Sequence, residues 1–171
     1  MGVASQYIAT QSQVSSSVLA LTSLIYADET PFSYTNNTLN DVFSGNIKSY
    51  SIANPAQYAD FFIRAGVETI ANGVASANTV TLTVEGTTVA QITGITKSME
   101  FIVFLSWVTA TKLAYTGLTI TAGAEPLFKS GVITVAVNLD ISFDYSGVVG
   151  PNVGSYCTIN NLNFEIIGRK I

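Results

Sequence analysis

The chain has no histidine and a single cysteine among its 171 residues, and charge is scarce, with seven Lys and Arg against eleven Asp and Glu. Without histidine the commonest general base and metal ligand is missing. No Ser or Cys therefore has an imidazole to activate it for nucleophilic attack. A lone Cys157 excludes an internal disulfide and, in the absence of histidine, a zinc site. It lies in a strand-like run with no basic neighbour, which reads as a small buried hydrophobe. Charged residues make up 11% of the chain, where a soluble domain usually carries about 25%. So few charges cannot clothe a whole surface, and the expectation is a surface covered by copies of the chain or by a partner.

Long apolar runs are missing too. Stretches such as Phe101 to Leu105 fall far short of the ~18–20 residues that a membrane-spanning helix needs. No glycine-rich phosphate loop is present, because the glycines stand singly at turns. Residues 1–30 hold no Lys or Arg and the net charge is −4, which argues against direct contact with nucleic acid or anionic lipid. The opening Met1 to Gln6 lacks a basic segment and a cleavage signal. Gln6 also stands where a myristoylation pattern wants Ser or Thr. The expectation is a chain made in the cytoplasm.

What is abundant is alternation. Val80, Leu82 and Val84 face opposite to Thr79, Thr81 and Thr83, and Glu85-Gly86 then reads as a hairpin turn into Thr87 to Ile92. Further strands are expected at 47–53, 58–64, 113–122 and 156–168, with loops at 30–45 and 122–130 and an irregular stretch at 66–77. Met99 to Val108 is apolar on both faces, as in a strand covered on two sides. Val132 to Tyr145 alternates without a break. As one strand it would be ~45 Å long at about 3.3 Å per residue.

About eight strands and no convincing body helix predict an all-β, single-domain antiparallel β-sandwich, of jelly-roll or other Greek-key type. Residues 31–171 form the sandwich and residues 1–30 an N-terminal arm. In the arm Val14, Val18, Leu21 and Ile25 fall at helical spacing. An extended arm fits as well, and Pro31 closes the segment.

Chemistry is sparse. Asp140 and Asp144 share a strand face, but a separation of about 13 Å exceeds the ~5–9.5 Å that paired-carboxylate hydrolysis needs. No catalytic residue is assigned and no cofactor is implied. Asp28, Glu29, Asn40 and Asp41 gather oxygen ligands around one loop, a candidate calcium site without the EF-hand spacing. Asn36-Asn37-Thr38 is a formal glycosylation sequon. Tyr34, Tyr50, Tyr58 and Tyr115 lie in or near loops, where aromatic rings can stack on sugars.

The reading is a building block. The first expectation is a self-assembling viral coat subunit, alike in architecture to the single jelly-roll coats of icosahedral viruses. Its partners would be itself and other coat proteins, with no nucleic acid held directly and a place in the virion. An extracellular filament subunit with an N-terminal donor strand is the alternative. A lectin-like carbohydrate-binding sandwich is the third. Candidate subunit contacts are Val14, Val18, Leu21 and Ile25 in the arm, and Phe101, Phe104 and Trp107 in the two-faced strand.

Overall fold

A computed structural model of the chain describes residues 22–94 and 97–171, and within them eleven strands form two antiparallel sheets. The strands are β1 (Thr22–Asp28), β2 (Phe32–Asn36), β3 (Val42–Ile52), β4 (Tyr58–Asn72), β5 (Ala77–Val84) and β6 (Thr87–Thr93). They continue with β7 (Lys97–Thr109), β8 (Lys112–Thr121), β9 (Leu127–Thr134), β10 (Leu139–Val148) and β11 (Tyr156–Lys170). The larger sheet runs β1-β11-β4-β7-β8-β9, with β2 beside β1 on the same edge of β11; the smaller runs β3-β10-β5-β6. The fold is the expected all-β sandwich.

The pairing is nested. β1 and β2 lie on β11, β3 on β10, β4 on β7, and β5 on β6. The innermost pair closes at Glu85 (φ 50°) and Gly86 (φ 68°), the two positive angles of a type I′ hairpin turn. Glu85 tolerates that angle because it is tied to β10. Its N–H donates to the Asp140 carbonyl at 2.8 Å, and its carboxylate accepts the Asp140 N–H at 2.7 Å.

Period-two alternation turns one side of each strand toward the facing sheet. Val80, Leu82 and Val84 are fully buried while the threonines between them stay partly exposed. At the centre Phe143 of β10 meets Phe101 of β7 edge-on, ring centroids 5.7 Å apart, and stacks on Phe164 of β11 at 6.1 Å. Each such ring contributes roughly 1.5–3 kcal/mol by burial. Cys157 is fully buried here as well, its thiol donating to the Val148 carbonyl at 3.3 Å. Burial pushes its pKa up.

Four expectations are corrected. Val132 to Tyr145 is not one strand but the end of β9 and the start of β10, which lie in different sheets. Ile133, Val135, Leu139 and Ile141 all stay inside across the crossing, and only Val137 is turned out, 78% exposed. Both sheets bury the same parity, so a crossing leaves the alternation almost unmarked. The loop expected at 30–45 contains β2 and the start of β3, and the irregular stretch at 66–77 is largely the second half of β4. Polar residues hid both. Asn36 ends β2 buried, with its amide donating to Asp41 at 2.7 Å, and Gly66 lies against the Asn163 side chain at a bulge in β11. Lastly, part of the expected arm, Thr22–Asp28, is a strand of its own sheet. Val14, Val18 and Leu21 lie outside the described residues.

The sheets approach closely where a Cβ on Gly117 of β8 would collide with the Val89 carbonyl of β6. Gly117→Ala is expected to cost about 1–3 kcal/mol by overpacking, and Phe143→Ala about 3–5 kcal/mol by leaving a cavity. Denaturant unfolding of the two variants measures both. Wild-type midpoints for either would contradict the packing described.

Candidate functional site

The inner faces of the sandwich are spent on its core, and the two outer faces left to the surroundings differ. On the smaller sheet the outward residues are mainly hydroxyls, amides and carboxylates, with Val42 and Val148 exposed at one end. Thr79, Thr81 and Thr83 line β5, and Asp140, Ser142, Asp144 and Ser146 line β10. Asp144 accepts from Ser142 at 2.7 Å and from the Asn46 amide at 2.8 Å; Asp140 accepts from the Ser51 hydroxyl at 2.5 Å. Lys48 is the only Lys or Arg in the four strands, and it points inward. This face has nothing with which to hold a phosphate.

The outer face of the larger sheet is apolar across its width. Leu24 of β1 stands beside Ile167 of β11, Ile167 beside Phe62 of β4, and Phe62 beside Phe104 of β7. Leu24 is 63% exposed and Phe104 54%. The Phe62 and Phe104 rings lie 5.1 Å apart. One row further along, Ile102, Leu118 and Phe128 continue the band over β7, β8 and β9. Phe62, Phe104 and Ile167 line an open trough of about 440 Å³, bordered by Asp60, Ser106 and Arg169. Two ion pairs lie beside the band, while Glu68, Glu165 and Lys112 stand on the same face outside any ion pair among the described residues. Arg169 Nε donates to Asp60 at 2.9 Å, and Arg64 is bonded to Glu100, which holds the guanidinium pKa up.

The sequence-predicted contact residues divide. Phe104 lies on the exposed band. Phe101 does not, because its position in β7 has inward parity and its ring is fully buried against Phe143; its assignment as a subunit contact is corrected. Trp107 is half-buried against the core and donates its indole N–H to the Tyr58 carbonyl at 2.9 Å. Ile25 is the bulged residue between Leu24 and Tyr26 and packs on its own core. Sequence reasoning missed Phe62, Leu24 and Ile167, whose shared row depends on strand order.

The oxygen-rich loop does not converge on a cation. Among the described residues no three acidic or Cys side chains come together, so Asp28, Glu29 and Asp41 form no ligand set. Asp28 instead bonds the Lys48 ammonium at 2.6 Å, Tyr26 Oη at 2.9 Å and the Thr30 N–H at 2.8 Å. Asp41 accepts from Asn36, and Asn40 occupies a turn at φ 60°. The sequon residue Asn36 is buried in that same contact. Of the four loop tyrosines, Tyr58 and Tyr115 belong to the core. Tyr34 and Tyr50 pack on its rim, with Tyr34 4.9 Å from Tyr145 and Tyr50 4.3 Å from Tyr26.

No protein-family model matches the chain, and no curated protein matches it in sequence. The surfaces themselves therefore carry the functional argument.

The Asp28–Lys48 pair joins the edge of one sheet to the edge of the other. Lys48, helped by Thr30 and Tyr26, holds the Asp28 carboxyl well below the usual carboxylate range. A carboxylate depressed by folding contributes stability that is present above its unfolded value, about 3.9. That contribution is lost as pH falls through the folded value. Asp28→Asn is expected to flatten the stability profile below about pH 4, measured as denaturant midpoint against pH. A profile identical to wild type would remove the pair from the account.

Proposed function

We propose that the chain is a structural subunit that assembles with copies of itself, a viral coat subunit with a single jelly roll. The observation that carries the reading is the apolar outer face of the larger sheet, backed by the nested pairing. Eight chain segments pair first with last, second with seventh, third with sixth and fourth with fifth, with β1 and β2 counted together and the β8–β9 hairpin inserted. This nested order supports reading the sandwich as a long hairpin rolled up into a jelly roll, an architecture used by viral coats. Contiguous apolar surface suits a subunit whose lateral faces are covered by neighbours. The Asp60–Arg169 and Arg64–Glu100 pairs beside it can be covered without leaving either of those cations unmatched.

The subunit would sit in the virion beside copies of itself and other coat proteins, and would not grip the genome directly. In this reading the oxygen-rich sheet faces solvent. The filament reading has less support, because β1 completes its own sheet. The lectin reading has less support, since the loop tyrosines it called on are built into the core and its rim.

Native mass measurement with electron microscopy, across salt and pH, is expected to show closed shells or discrete oligomers free of nucleic acid. Monodisperse monomer at high concentration would overturn the proposal. Rods would move it to the filament reading, and salt-sensitive retention of DNA or RNA would count against the absence of genome contact.

A further inference from the structure

Resting on the assembly reading, we propose that the trough lined by Phe62, Phe104 and Ile167 receives the N-terminal segment, residues 1–21, of a neighbouring copy. The trough belongs to the row Leu24, Ile167, Phe62 and Phe104, four apolar side chains abreast on four adjacent strands. Its border is the Asp60–Arg169 ion pair and Ser106. Covering that pair buries a cation with its own counter-ion, so the occupant need bring no charge. The N-terminal segment brings none: its 21 residues include no Asp, Glu, Lys or Arg, and Val14, Val18 and Leu21 are apolar.

Reach and direction choose between the chain's own trough and another's. Fully extended, 21 residues span up to about 70 Å, so distance excludes neither. Direction does discriminate. Thr22 stands opposite Arg169, in the row that continues through Asp60 to Ser106 and borders the trough at that end of the sheet. β1 begins at this end and runs toward Phe164, so a segment that precedes Thr22 can cover the trough of its own chain only by reversing direction. Between Val3 and Ala27 the sequence holds no Gly, Pro, Asn or Asp, the residues best suited to positive-φ and proline-set reversals. A neighbour's trough asks for no such reversal, and occupying it is an exchange of identical elements between protomers.

The test uses the full chain with the photo-reactive p-benzoylphenylalanine in place of Phe104, irradiated under assembling conditions and mapped by mass spectrometry. Adducts to residues 1–21 within covalent dimers are the expected result. Adducts to residues 1–21 inside a monomer overturn the neighbour assignment. Adducts confined to residues 22–171 in assembled material overturn the docking while leaving self-assembly standing. A wild-type chain that stays monomeric sinks the assembly reading and this inference with it. A second full-chain variant, Phe104→Ser, removes a side chain that is 54% exposed. It should keep the melting temperature near wild type and lower the assembled fraction about tenfold or more, as loss of an interface anchor does. Unchanged assembly would count against the trough.

Discussion

The contact on which the rest of the structure depends is the meeting of the two inner faces, with Phe143 between Phe101 and Phe164. These rings come from β10, β7 and β11, so one cluster joins both sheets and three distant parts of the chain. They lie within one buried cluster that draws on both sheets. Backbone ladders run within each sheet, and the half-buried Asp28–Lys48 pair is a small addition at one edge. Dry side-chain packing between sheets carries the fold.

Packing of that kind is strict about polar groups, and the chain meets much of the demand locally, though Asn78 Oδ1, Ser155 Oγ and Asn163 Oδ1 are buried without a partner. Asn161 is buried where β11 bulges; its amide donates to the Gly66 carbonyl at 3.0 Å and to the Asn163 carbonyl at 2.9 Å. Asn78 is buried on β5, and its amide reaches the Ile70 carbonyl at 2.8 Å. Both asparagines serve backbone carbonyls beside irregular or crossing segments. They stitch the sandwich where the ladders alone would leave gaps.

With the interior accounted for, the unequal outer faces become the functional feature. One is mainly hydroxyls, amides and carboxylates with no outward Lys or Arg in its four strands; the other carries an apolar band beside two ion pairs. In the proposed assembly, few charged residues are needed because one face is kept for water and the other is given to a neighbour. On that proposal the composition and the topology answer one constraint: surface that is covered need not be charged.

Much of this was legible in the sequence. Alternation specified strands, parity specified which residues are inside, and Glu85-Gly86 specified a hairpin turn, because each depends on neighbours along the chain. The absence of histidine and the shortage of charge bounded the chemistry for the same reason. Strand partners were not legible. Val132 to Tyr145 read as one strand because the inward parity is common to both sheets, and Phe101 and Phe104 read alike because apolar residues lay on either side of β7. Only the tertiary structure decided that Phe101 belongs to the core and that Leu24, Ile167, Phe62 and Phe104 form one row. That row joins residues up to 143 positions apart in sequence, and its existence follows from strand order, which long-range packing sets and local pattern cannot.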